Sequence, residues 1–308
     1  MYNAGVRIPW TKSSKFSDLI KGKLEFFVLL LPGLVVFGLF TIYPIVKLFI
    51  MSFFDWELGF GQVMTFVGLD NYINVFSDPA FKVAITNTIA YTLVTVPSQI
   101  VIGLLVAVLM NSIVRFRITF RVLYYLPVIT SWVIASLIFR YVFNTEGLLN
   151  YYLKDVLHII DENIAWLDSR FTGMAVAEML GIWKGIGWNM VIFLAALQGV
   201  PKELYETAEI DGCTRIKKFF YITIPSIKHT ILFALVMLTI GAFNVYTSIK
   251  LITNGQPAHQ TEVVLTWMYS KAFEARDFGY SAALSYIVAF TISVITLVQF
   301  KVFNKYKD

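Results

Sequence analysis

Six long apolar runs leave this chain few ways to fold. They lie near Phe26–Phe49, Val83–Met110, Val122–Phe143, Gly173–Leu197, Thr230–Ile252 and Tyr280–Phe300. Each has about the 20 residues a helix needs to cross roughly 30 Å of hydrocarbon. Inside hydrocarbon every backbone N–H and C=O must be paired within the protein, so such a run becomes a helix. Composition agrees: 57% of the 308 residues are hydrophobic and only 15% are charged, outside the range of soluble globular domains. The expected fold class is therefore an all-α membrane protein with six transmembrane helices. Lys12, Lys15, Lys21 and Lys23 before the first run imitate a signal peptide, but the run continues beyond 20 residues without a small-residue cleavage site. It reads as a retained first span, with residues 1–25 as a segment preceding it and residues 26–308 as the membrane domain.

Charge sets the expected orientation. The N-terminus, the Arg115–Arg121 turn, the Pro201–His229 loop and the C-terminal Lys301–Asp308 hold 16 of the 25 Lys and Arg. The three loops on the other side hold 12 of the 20 carboxylates. The positive-inside rule puts both termini, and the 201–229 loop, in the cytoplasm. The net charge of +5 thus belongs to membrane topology and does not imply nucleic acid. The single cysteine, Cys213, excludes an internal disulfide and any CxxC metal or redox motif. His158, His229 and His259 have no spaced Cys, Asp or Glu partners, so no metal is expected.

The most informative polar stretch is Gly199–Pro225, GVPKELYETAEIDGCTRIKKFFYITIP. Pro201 suits a first helical position and Glu203 the positive end of the helix dipole. Leu204, Tyr205 and Ala208 share one apolar face. Gly212 suits a left-handed helix end, and a second short amphipathic helix follows with Ile216, Phe219, Phe220 and Ile222. Glu206-Thr207-Ala208, three residues, Gly212, nine residues, then Ile222-x-Ile224-Pro225 resembles the EAA loop of ABC-importer permeases. The family pattern is Glu-Ala-Ala, three residues, Gly, nine residues, Ile-x-Leu-Pro, so Thr207 and Ile224 are mild departures. The resemblance implies that this loop, between the fourth and fifth spans, is a coupling helix that docks into a cytoplasmic ATPase. Glu206, Ala208, Asp211, Gly212, Ile222 and Pro225 are its expected contact and hinge positions.

The similarity reaches from about Tyr43 to the C-terminus. Phe66–Tyr72, Asn87-Thr88, Leu126-Pro127, Gly147–Asn150 and Thr253–Pro257 are similar to the sugar-importing branch, which includes the maltose-type and glycerol-phosphate permeases. Asn254-Gly255 with Pro257 marks a turn, and a short helix over Val263–Phe273 is expected after it. Charged residues inside a span are functional candidates, and span four carries Glu178 and Lys184. Lys184 lies in Gly181-Ile182-Trp183-Lys184-Gly185-Ile186-Gly187-Trp188-Asn189. Glycines beside two Trp offer close backbone approach and a flat aromatic surface, which suits a sugar; they equally suit helix packing. By resemblance to maltose-type permeases, Trp188 matches a sugar-stacking aromatic, Lys184 and Gly185 sit at substrate-contacting places, Asn244 matches the sugar-binding Asn of span five, and Trp132 a lining position in span three. Lys184 replaces an uncharged residue. It favours an anionic sugar, or it snorkels or pairs with a carboxylate of another subunit; both readings stay open.

The chain has no G-x-x-x-x-G-K-[ST], G-x-S-x-G or H-E-x-x-H. No enzymatic activity is expected, and no cofactor in this chain. The resemblance assigns ATP and Mg to a separate ATPase dimer. It also implies a second homologous permease, an extracytoplasmic solute-binding protein, a sugar or oligosaccharide substrate, and a bacterial or archaeal cytoplasmic membrane. Alternative cargo is a polyol or glycerol phosphate. The alternative from another class is an ion-coupled secondary carrier, which would show inverted repeats and intramembrane carboxylates.

Overall fold

A computed structural model describes residues 28–56, 64–112 and 116–305. The segment 1–25, with its four lysines, and Arg115 lie outside the described residues. The chain forms two units, residues 1–51 and 52–308. The described residues of the first form one helix, α1 (Val28–Met51). Its winding loosens to a π-turn at Gly38–Ile42. That turn ends two residues before Pro44, which has no N–H to give to the carbonyl four residues back.

The second unit opens with a short antiparallel pair, β1 (Phe54–Asp55) and β2 (Thr65–Phe66), and α2 (Asp70–Ser77). The long helices α3 (Pro79–Ser112) and, after α4 (Arg117–Ile129), α5 (Trp132–Val142) and the short α6 (148–156), α7 (Arg170–Gln198) follow. Next come α8 (Lys202–Ile210), α9 (Arg215–Ser226), α10 (Lys228–Phe243), α11 (Thr247–Ile252), α12 (264–274) and α13 (Phe278–Lys305). α1, α3, α7 and α13 are each long and apolar enough to span a membrane. Their ends lie within a few residues of four of the six apolar runs.

The third and fifth spans differ from the straight helices expected. α4 and α5 meet at 91°, so Val122–Phe143 is sharply bent instead of one straight helix. Pro127 lies in the last turn of α4, and Ser131 caps α5 by accepting the Val133 N–H at 3.3 Å. The fifth run, Thr230–Ile252, also breaks. α10 ends at Phe243, and Asn244 Nδ2 donates to Ile240 O at 2.8 Å. An asparagine bonded to the carbonyl four residues back competes with the continuing ladder, and the chain becomes helical again only at Thr247. At its other end α10 bends 69° from α9 at Ile227, so Pro225 lies within α9.

α3 and α7 form the central pair, and small residues let them touch. A methyl group on Gly181 would overlap the Tyr91 hydroxyl, one on Gly185 the Gln99 amide, and one on Gly187 the Tyr124 carbonyl of α4. Buried asparagines fasten the loops. Asn87 Nδ2 donates to Gln260 O and Glu262 O, both at 2.7 Å, while its Oδ1 accepts from Arg170 Nε at 2.9 Å. Asn150 Oδ1 accepts Trp166 Nε1 at 3.0 Å, and Asn71 Nδ2 donates to Phe54 O at 2.9 Å. Residues singled out by family resemblance are thus connectors between segments far apart in sequence. The turn at Asn254-Gly255 forms with φ of 52° and 79°, and α12 lies one residue beyond the expected helix.

Candidate functional site

α3, α7, the start of α5 and the interruption between α10 and α11 enclose a cavity of about 480 Å³. That lies within the range of small-ligand sites, roughly 300–1,000 Å³. Trp132, Lys184, Gly185, Trp188 and Asn244, which the sequence places in three different spans, all line it. Their convergence depends on the two breaks. The α4–α5 break turns Trp132, the first residue of α5, to the cavity wall. The end of α10 leaves Asn244 exposed there.

The two tryptophans of span four do not share a surface. Trp188 lines the cavity, its ring 6.5 Å from Phe233. Trp183 packs against Phe139 at 5.8 Å, away from the lining. Five residues on a helix turn a side chain by roughly 140°, which explains the divergence. Gly181 and Gly185 serve both expected purposes, because they admit α3 side chains and also border the cavity.

Lys184 is only 4% exposed. Its ammonium donates to Pro127 O at 2.7 Å, Thr130 O at 2.6 Å and Thr130 Oγ1 at 3.2 Å. Three donors meet three acceptors, and two of those are carbonyls at the C-terminus of α4, where the helix dipole is negative. The same ammonium lies 4.9 Å from the Trp132 ring centroid. The buried cation therefore has its partners within the chain. Its three acceptors are two backbone carbonyls and one hydroxyl, with no carboxylate among them. It joins α7 to the break in span three.

Tyr91, Thr95 and Gln99 also line the cavity, as do Tyr246, Thr247 and Ser248. Charge and motif do not single them out. Tyr91, Thr95 and Gln99 do recur every four residues, a polar stripe on an apolar helix that periodicity can find. Thr95 Oγ1 donates to Tyr91 O at 2.7 Å, so its hydroxyl is paired along the helix.

The second group of expected residues forms a compact cap outside the cavity. α8 begins one residue later than expected, with Pro201 at its N-cap. It ends in a Schellman motif: Gly212 N–H donates to Glu209 O at 3.0 Å and Cys213 N–H to Ala208 O at 2.8 Å, with Gly212 at φ 75°. Thr214 then caps α9 by accepting Lys217 N–H at 3.4 Å. Tyr205 Oη and Thr223 Oγ1, 3.0 Å apart, tie the two helices, and Lys218 meets Glu209 at 3.2 Å. Ala208 is buried in this small unit, and Ile222 is half-buried. Glu206, Asp211 and Pro225 are exposed, and the apolar Ile210, Ile216 and Tyr221 stand 87%, 72% and 80% exposed. Among the described residues no group of His, Cys, Asp and Glu is placed to hold a metal.

Comparison with known proteins matches residues 85–302 to the binding-protein-dependent transport system inner membrane component. The arabinooligosaccharides transport system permease protein AraP of Halalkalibacterium halodurans is 34% identical, over 98% of this chain and 95% of its own. The lactose transport system permease protein LacF of Rhizobium radiobacter is 31% identical, over 87% and 90%. Among solved structures, a bacterial alginate ABC transporter in complex with an alginate pentasaccharide-bound periplasmic protein superposes with a TM-score of 0.79 at 25% identity, covering 92% of this chain and 94% of that one.

Proposed function

This chain belongs to the family of inner membrane components of binding-protein-dependent transport systems, and on that premise we propose that it forms half of the path by which an ATP-driven importer moves a sugar or oligosaccharide. The carrying observation is the cavity itself, where Trp132, Trp188 and Asn244 from three spans meet. Aromatic faces pack against sugar C–H surfaces, and an amide takes hydroxyls. The relatives named for arabinooligosaccharide and lactose transport support the same class of cargo.

The lining argues against the rivals. Among the described residues no carboxylate borders the cavity, so a carboxylate-based coupling-ion site of a secondary carrier has no support there. A glycerol phosphate needs a cation in the path; the one in the lining, Lys184, has its three donors engaged. The same engagement leaves no donor for an anionic sugar.

The remaining assignments follow from the basic-residue distribution and the loop geometry. Both termini face the cytoplasm, as does the 201–225 loop. Its exposed Glu206, Asp211, Ile210 and Ile216 fit a groove of the ATPase, and Ala208, Gly212, Ile222 and Pro225 hold its shape. ATP and Mg act on the ATPase pair, not on this chain. A second permease completes the path, and an extracytoplasmic binding protein delivers the sugar. ATP closes the ATPase pair, the loop transmits that motion, and the cavity turns from one face of the membrane to the other.

The test is affinity purification of tagged protein from mild detergent, comparing wild type with Gly212→Pro. Wild type is expected to bring down an ATPase and a second permease, and the variant to lose the ATPase but keep the permease. A wild-type protein purified alone that moves solute without ATP would overturn the reading.

A further inference from the structure

The cavity wall continues outward as a strip of aromatic rings. The Tyr246 ring, in the cavity lining, lies 5.2 Å from that of Tyr269, and Tyr269 lies 4.8 Å from Phe273. Tyr269 and Phe273 are four residues apart on α12, which places them on one face. A core would bury such a cluster. Here Tyr269 is 40% exposed and Phe273 62%. Polar atoms run beside the rings. Lys250 Nζ meets Glu274 Oε1 at 3.0 Å, Ser270 Oγ donates to Glu274 Oε2 at 2.7 Å, and the same ammonium lies 5.9 Å from the Tyr269 ring centre. Lys250 belongs to α11, so the break in span five and the outer helix α12 build the strip together.

We propose that this strip is a second sugar subsite, continuous with the cavity, along which the chain of an oligosaccharide lies while its leading residue occupies the cavity. The proposal rests on the sugar reading above. Pyranose and furanose C–H faces pack on exposed rings, and hydroxyls find fixed partners in Lys250, Glu274 and Ser270. Lipid is a poor occupant, because an ion pair with side chains 31% and 56% exposed borders the rings. Continuity with Tyr246 of the cavity favours the passing substrate over a partner protein.

The whole importer, with its ATPase, second permease and binding protein, is reconstituted in liposomes and assayed with arabinobiose and arabinopentaose, and with maltose and maltopentaose. In Tyr269→Ala and Phe273→Ala the ratio of pentasaccharide to disaccharide uptake is expected to fall about tenfold, equivalent to about 1.4 kcal/mol. Tyr269→Phe keeps the ring and the wild-type ratio. An unchanged ratio in both alanine variants overturns the subsite and leaves the sugar reading intact. Loss of the second permease from the purified Tyr269→Ala assembly, with both sugar lengths lost alike, overturns it in favour of a subunit interface. A wild-type importer that moves neither series removes the sugar reading and the subsite with it.

Discussion

At the scale of single residues, Lys184 carries the sharpest contrast between sequence and structure. In the sequence it is a lone cation in an apolar run, open to an anionic ligand or a distant carboxylate. In the fold its neighbours are the carbonyls at the end of α4. Lys184→Met keeps most of the side-chain volume but strands the carbonyls of Pro127 and Thr130. Leaving buried polar groups unpaired costs about 1–3 kcal/mol. The variant is therefore expected to unfold at lower temperature in detergent, and to lose uptake of neutral and uronate-containing oligosaccharides in equal proportion. Selective loss of the acidic sugar would instead make Lys184 a substrate contact. Of the cavity residues, Lys184, Gly185 and Trp188 are legible from the charge, glycines and tryptophans of span four, while Trp132 and Asn244 are legible only through the resemblance to maltose-type permeases. Tyr91, Thr95 and Gln99 are less visible, because hydroxyl and amide side chains in a span also bond their own helix, as Thr95 does.

At the scale of elements, hydropathy finds spans but not their interruptions. α1, α3, α7 and α13 match their apolar runs because a straight helix satisfies its backbone whatever packs around it. The break in span three leaves carbonyls that need an outside donor. Lys184 supplies the donor at Thr130, and that pairing joins residues 54 positions apart. No local pattern announces it. The 201–225 loop is the opposite case, since its helix ends are specified by adjacent residues. A methyl group added at Gly212 would meet open space, with nothing within 4 Å. Gly212→Ala therefore costs only what its left-handed backbone demands, about 1–2 kcal/mol. Gly212→Pro also removes the N–H given to Glu209 O and cannot adopt φ 75°. Quantifying ATPase recovered with each variant should give wild type above alanine, and proline near zero. Equal recovery from alanine and proline would show that the Schellman turn does not control docking.

At the scale of the whole molecule, one carboxylate fastens three helices at one end of the second unit. Asp78 Oδ1 accepts the Ala80 N–H at 2.9 Å, and its Oδ2 accepts Tyr280 Oη at 2.8 Å and Trp267 Nε1 at 3.2 Å. Lys271 stands 3.7 Å away. Burial opposes the charge, but the bonds from Tyr280 and Ala80, the Lys271 ammonium and Trp267 outweigh it and hold the carboxyl below its ordinary 3.8. A depressed folded value means that the ionised carboxylate stabilises the fold above pH 3.8, and that this contribution disappears as pH falls through the folded value. Asp78→Asn should thus lower the thermal midpoint at neutral pH, with the gap to wild type closing as the solution is acidified below that point. A gap independent of pH would assign the loss to packing instead. The bare Ile210, Ile216 and Tyr221 of the loop carry a different consequence, one of supply in the cell. If the ATPase covers them as proposed, copies made in excess of it would keep these side chains in water, the kind of surface that quality-control proteolysis removes. On the docking proposed above, the steady-state amount of the permease is expected to fall when its ATPase is depleted and to recover when the ATPase is resupplied; an amount independent of the ATPase would separate these exposed side chains from subunit supply.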